Sequence, residues 1–273
     1  MQKHVARTDD DTGLRVEMPE AGIAVLTLNR PGARNALSLG VLRALQSAID
    51  RLGQDPKIAA IVLAGAGSAF CAGHDLKEMT SHRADADGGR AFFETTITAC
   101  AAMMQAIVAC PKPVIAAVHG IATAAGCQLV ASCDLAIAGE AATFATPGVQ
   151  IGLFCSSPMV ALSRNIGRKR AMEMLLTGDA LSAEGALSFG LVNHVVPDGK
   201  AMVEALALAR KIASRSKVTI AFGKAAFYRQ AEMPLAEAYT FAAKIMVENM
   251  MAADANEGIC AFIEKRSPEW QGS

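Results

Sequence analysis

Hydrophobic and polar positions fall into two textures along this chain. Up to about residue 147, short apolar runs alternate with helical periodicity. Beyond about Lys200 the periodicity is helical throughout. "GIAVLTLNRP" (22–31) predicts a strand closing at a Pro-Gly turn. "SLGVLRALQSAIDRLGQD" (38–55) predicts a helix with a serine cap and a closing glycine. The continuous apolar runs "IAAIVLAGAG" (58–67) and "KPVIAAVHG" (112–120) suit strands buried on both faces. Between them a polar stretch, "SHRADADGGR" (81–90), predicts a mobile loop, followed by a long helix from about Phe92 to Ala109. "LAIAGEAATFATP" (135–147) returns to short strands. This recurrence of strand, strand and helix predicts a layered α/β coil more than a single flat sheet.

The stretches "KAMVEALALARKIASRS", "TIAFGKAAFYRQAEM" and the segment from Pro234 to Arg266 are helical and rich in Ala and Met. Their apolar faces suggest either an interface between copies of the chain or a helical cap on the core. The chain is accordingly divided into a core, residues 1–199, and a helical C-terminal region, 200–273.

Composition narrows the partners. Lys+Arg and Asp+Glu balance at 26 each and aromatic residues are 5%, so neither a nucleic-acid field nor a base-stacking platform is expected. A small molecule is the expected partner. The seven cysteines make no Cys-x-x-Cys pair and sit among apolar neighbours, as buried reduced thiols of a cytoplasmic protein would. "MQKHVARTDDDTG" has no apolar stretch for secretion and carries three aspartates, against a transit peptide. The run from Pro113 to Gly139 is broken by His119, Gln128 and Asp134, and reads as core, not as a membrane span. The histidines at 4, 74, 82, 119 and 194 show no ligand spacing, so no metal is expected. "GAG" (65–67) lacks the rest of a dinucleotide fingerprint.

Two segments share one design. "SAFCAGHDLKEM" (68–79) and "GIATAAGCQLVASCD" (120–134) each follow a buried strand with a small-residue turn and then a helix. At such turns the backbone approaches a ligand closely and first-turn N–H groups point outward. Converging, they form an oxyanion hole; apart, they only permit tight packing.

Together with "LNRPGARNALS", "FATPGVQIGLF", "LTGDALSAEGALSFGLVNHVVP" and "FIEKRSPEW", these segments resemble the enoyl-CoA hydratase/isomerase, or crotonase, superfamily, in order from about residue 22 to 270. The resemblance implies an α/β, crotonase-like (ClpP/crotonase) coiled ββα superhelix with a C-terminal helical trimerisation region, assembling as trimers or paired trimers. It implies an enzyme of the lyase or isomerase class acting in fatty acid metabolism on an acyl-CoA thioester, with no cofactor beyond the coenzyme A of the substrate. Its thioester carbonyl would lie between the backbone N–H groups of His74 and Ala125. The coenzyme A strip would comprise Arg34, Ala36, His74, Asp75, Leu76 and Lys77.

The departures from the resemblance concern the proton-moving groups. Where the family's hydratases carry two glutamates, this chain has Gln128 and Gly148. An amide orients a water but does not take its proton at neutral pH, and glycine offers no side chain. The family's glycine-rich loop becomes "FCSSPM" (154–159). His74 is the sharpest candidate for another base; Cys155, Ser156 and Ser157 are better read as pocket lining, and His119, Asp75 and Asp134 as structural. The wording "AGHDL", "AAGCQLVASCD" and "FATPGV" is similar to one subgroup, the enoyl-CoA hydratase domain-containing protein 3 type, which shares these substitutions. Efficient hydration is therefore not expected, and a catalytically silent binder or scaffold is the alternative.

Overall fold

The computed structural model describes residues 12–272; His4 and the first eleven residues of the N-terminal stretch, on which the expectation of no secretion or transit signal rested, lie outside the described residues. In chain order the elements are β1 (Leu14–Glu20), β2 (Ile23–Leu28), α1 (Leu39–Gln54), β3 (Ala60–Gly65), α2 (Leu76–Ser81), α3 (Arg90–Ala109), β4 (Val114–Val118), β5 (Ile121–Thr123) and α4 (Ala125–Ser132). Then follow β6 (Leu135–Gly139), β7 (Thr143–Ala145), α5 (Pro158–Asn165), α6 (Arg168–Thr177), β8 (Leu181–Ser182), α7 (Ala183–Phe189) and β9 (His194–Val196). Four helices complete the chain: α8 (Ala201–Ala213), α9 (Lys217–Gln230), α10 (Leu235–Met250) and α11 (Ala253–Glu264).

The larger sheet has the order β1-β2-β3-β4-β6-β9, parallel except for the β1–β2 hairpin. Its inner strands are apolar at almost every position because both faces are covered. On one face lie α1 and α3, with Leu42, Leu45, Ile49, Met103 and Ile107 in the main core. On the other lies α8, whose Ala201, Ala205 and Ala209 repeat every four residues against Val25, Val62 and Ile115. Small side chains there let the helix sit close to the sheet. A second sheet has the order β5-β7-β8, with β5 and β7 parallel and β7 and β8 antiparallel. The helical cover of the larger sheet's second face thus comes from α8, within residues 200–273.

The predicted start of α1 holds, whereas its closing glycine does not: Gly53 lies inside the helix, packed against Cys110 and Pro111, and Asp55 ends it. Ser38 caps α1, its hydroxyl accepting from the Val41 N–H at 3.3 Å. β1 lies outside the predicted elements. The 81–90 stretch is a short 3-10 turn (His82–Ala84) leading into α3, with the His82 ring stacked on Phe92 at 3.6 Å and the Asp87 carboxylate accepting from Gly89 and Ala91. α3 is long and apolar enough to cross a membrane by length and composition. Its Thr96, Cys100, Met103, Met104 and Ile107 face is buried against α1 and α4, as in a core helix.

Candidate functional site

Three turns meet where the parallel strands end. The Arg34–Leu37 turn is joined to the 71–75 loop by three bonds, Leu37 N–H to Gly73 O at 2.8 Å, Ala72 N–H to Arg34 O at 3.0 Å and Asp75 N–H to Leu37 O at 3.1 Å. That loop is joined to β5 in turn, Cys71 N–H to Ile121 O and Thr123 N–H to Cys71 O, each at 3.0 Å. Asn35 locks the outer edge. Its buried side chain accepts from Arg30 N–H at 2.9 Å and donates to the carbonyls of Ala66 and Ala69 at 2.8 and 2.7 Å. Nothing in the local sequence singles out Asn35; its role exists only once the two loops are adjacent.

At the centre the backbones touch. Gly73 has φ +90, and a Cβ there would lie 3.0 Å from the Thr123 carbonyl oxygen and 3.4 Å from the Ala125 nitrogen. Gly126 packs its Cα against the Cys71 carbonyl, where any Cβ would overlap that oxygen. Ala124 is held at φ +50, ψ −118, a conformation that costs an L-residue of order 1–3 kcal/mol. Its N–H is fixed to Ala145 O at 2.9 Å. The result is that α4 begins abruptly at Ala125. Among the described residues neither the Ala125 N–H nor the His74 N–H meets an acceptor.

The side chains divide by what holds them. Asp75 caps α2, one oxygen accepting from Lys77 and Glu78 N–H at 3.2 Å and the other from Arg30 at 2.9 Å. Burial raises its pKa, but the Arg30 hydrogen bond and the two amides outweigh it and hold the carboxyl below its usual range. Its lone pairs are thus engaged in structure. Ala36 is buried, while Arg34, Leu76 and Lys77 lie exposed on the outer rim. The His74 ring has no partner at Nδ1, and burial pushes its pKa down, only partly opposed by the Leu37 carbonyl. His119 is engaged, its Nε2 2.9 Å from Gly67 O.

Gln128 is 4% exposed, and its Oε1 has no hydrogen-bond partner. Gly148 is the second residue of a 3-10 turn (Pro147–Ile151) that follows the Ala145 carbonyl anchoring Ala124. The "FCSSPM" segment folds into the space beside it. A Cβ at Gly148 would lie 2.6 Å from the Leu153 carbonyl oxygen and 2.9 Å from Cys155 Sγ. Burial raises the Cys155 thiol pKa, so it is a poor nucleophile, and Ser156 hydrogen-bonds back to Phe154 O. Among the described residues no three His, Cys, Asp or Glu side chains gather as metal ligands.

The enoyl-CoA hydratase/isomerase family model matches residues 18–273. The chain belongs to this family. Members include the mitochondrial enoyl-CoA hydratase domain-containing protein 3 of Xenopus laevis, 45% identical over 262 residues, covering 96% of this chain and 87% of that protein. The structure of an enoyl-CoA hydratase from Mycobacterium smegmatis superposes with a TM-score of 0.90 at 51% identity, covering 94% of this chain and 98% of that one. Human enoyl-CoA hydratase domain-containing protein 3 superposes at 0.89 with 43% identity, covering 94% and 100%. The family membership corrects one expectation. The cytoplasmic location does not stand, because five vertebrate relatives of the domain-containing protein 3 type are named mitochondrial. The thiols misled here: six of the seven are buried, and burial keeps a thiol inert in any compartment.

Proposed function

We propose that this family member binds an acyl-CoA thioester, draws its carbonyl oxygen between the N–H groups of His74 and Ala125, and stabilises the enolate-like charge that develops there. The observation that carries this reading is the pair of acceptor-free N–H groups on two loops held in contact at Gly73. Such fixed donors act on charge that appears in the transition state, and losing one costs about 3–4 kcal/mol. Coenzyme A runs along Arg34, Ala36, His74, Asp75, Leu76 and Lys77, with the exposed Arg34 and Lys77 offering cations to its phosphates. No cofactor is needed beyond the coenzyme A that the substrate brings.

Hydration of short enoyl-CoA is weak or absent. Gln128 and Gly148 stand where the family's hydratases hold acids, and general acid–base catalysis contributes about 10²–10⁴-fold. The test is turnover of crotonyl-CoA beside calorimetry with the same thioester: binding with little hydration supports the reading, and turnover like that of ordinary hydratases sinks it. The crowding at Gly148 favours a second reading, an acyl-CoA binder without catalysis. Binding without conversion across a panel of thioesters distinguishes it. Exposed apolar side chains on and after α10 and α11, such as Leu235, Tyr239, Met251, Phe262 and Ile263, support self-association as a trimer or pair of trimers, measurable by sedimentation.

A further inference from the structure

His74 is half-buried at the meeting of the two loops, and the two nitrogens of its ring differ. Nδ1 is enclosed and makes no hydrogen bond. Nε2 makes none either, but it is not enclosed, so it is the ring's accessible nitrogen. The Leu37 carbonyl, which acts on the ring, can only accept. A proton on Nδ1 suits that carbonyl and leaves the lone pair on Nε2, since the bond made at one nitrogen sets the state of the other. The charges around the ring are engaged elsewhere or exposed. Arg30 pairs with Asp75, the Glu78 carboxylate accepts from the Leu39 N–H at 2.9 Å, and Arg34 and Lys77 lie on the outer rim. Across the loop contact, β5 and α4 bring no charged side chain, and burial holds the Cys127 thiol up to about 12. Burial therefore decides the state of the ring and keeps it neutral at neutral pH.

We propose that the His74 side chain is the base of this site, its Nε2 taking a proton from the α-carbon of the bound acyl thioester. The electron pair of the broken C–H bond passes into an enolate. Its charge falls on the carbonyl oxygen held by the His74 and Ala125 N–H groups, and Nε2 then returns a proton to the α-carbon. The net reaction on a saturated acyl-CoA is exchange of its α-hydrogen with solvent, with no water added and no oxidant needed. This rests on the thioester-binding reading above and adds an activity to it. Position favours the ring. The α-carbon is bonded to the same carbon as the carbonyl oxygen, so one residue holds the oxygen with its backbone and meets the adjoining atom with its side chain. The other titratable groups of the site are not free for the task. Asp75 is engaged by Arg30 and two amides, His119 Nε2 lies 2.9 Å from Gly67 O, and burial keeps Cys155 a neutral thiol. A neutral imidazole with an open lone pair is suited to such a transfer.

The experiment is α-hydrogen exchange of butyryl-CoA in heavy water with the full chain, read by mass spectrometry of the recovered thioester. Exchange well above that of butyryl-CoA in buffer is expected. H74A is expected to lose about 10²–10⁴-fold of it, and added imidazole to restore part, which a purely structural role would not allow. On the unaltered chain the rate should follow the neutral ring. Because burial lowers the pKa from 6.5, the rate reaches its plateau by about pH 7 and stays flat to about pH 9. A rate that climbs throughout that range overturns the inference whether or not H74A folds, and so does exchange that H74A leaves intact. No exchange above buffer, with butyryl-CoA bound more tightly than free coenzyme A by calorimetry, also overturns it, while the thioester-binding reading stands. Butyryl-CoA that binds no better than free coenzyme A removes that reading, and this inference with it.

Discussion

Gly73 and Ala125 are packed so that a single added carbon on the first would sit 3.4 Å from the amide nitrogen of the second. The same carbon would meet the Thr123 carbonyl at 3.0 Å, on a backbone already at φ +90. The two loops can approach this closely only because residue 73 has no side chain. G73A must therefore strain the backbone or separate the two N–H groups. The expected outcome is a loss of about 1–3 kcal/mol in urea unfolding. At least a tenfold loss in acyl-CoA affinity should accompany it, on the order of one donor's contribution. Unchanged affinity would show that the two amides do not act together.

The second prediction concerns restoring the missing acids. Introducing Q128E and G148E together is expected not to recover crotonyl-CoA hydration. The Leu153 carbonyl, 2.6 Å from where the new Cβ would stand, is backbone and moves only with the whole 153–157 segment. Overpacking of this kind costs about 1–3 kcal/mol, so a lower melting temperature should accompany the inactivity. Recovered turnover at wild-type stability would disprove the claim that this loop has closed over the second acid's place.

These two cases mark where sequence reading stops. The inner strands were legible because burial on both faces leaves an unbroken apolar run, as in Ala60–Gly65 and Val114–Val118. α1 was legible because Ser38 and a helical repeat speak locally. β1 was not: "LRVEMPE" is mostly half-exposed and includes a proline, so it lacks that signal. Predicted mobility at 81–90 followed from polarity, while the His82–Phe92 stack depends on side chains ten residues apart. In the candidate site, the small-residue turns were visible as letters. The Asn35 latch, the Gly148 crowding and the orphan oxygen of Gln128 are relations between segments, and no single segment carries them.

A third prediction tests how the helical C-terminal region is fastened to the core. Asp134 accepts from Lys224 at 2.7 Å, from Tyr228 at 2.9 Å and from the Val114 N–H at 2.7 Å. Lys224 also donates to the carbonyls of Ile107 and Lys112, both at 3.0 Å. With side chains only 7% and 15% exposed, Lys224 and Asp134 form a buried pair whose remaining bonding sites are also filled. K224M leaves the carboxylate without its cation and should cost about 3–5 kcal/mol. Y228F removes one charge-assisted bond and should cost about 1.5–3 kcal/mol. Guanidinium unfolding of the two variants checks the order; a K224M loss no larger than that of Y228F would contradict the pair's central role.

The final prediction concerns the thiols and alkaline pH. Burial holds the thiols of Cys71, Cys100 and Cys127 up to about 12, against an ordinary value near 9. A pKa raised in the folded state contributes stability below the unfolded value and loses it as pH climbs toward the folded one. Stability should therefore hold up to about pH 9 and fall progressively between about pH 9 and 12. The same burial makes these thiolates scarce at neutral pH, and Cys155 with them. Only Cys260, the one cysteine that is not buried, should react promptly with a thiol-specific disulfide reagent at pH 8, while all seven react in denaturant. Rapid native-state labelling of Cys155, read by peptide mass spectrometry, would show instead that the wall beside Gly148 opens to solvent.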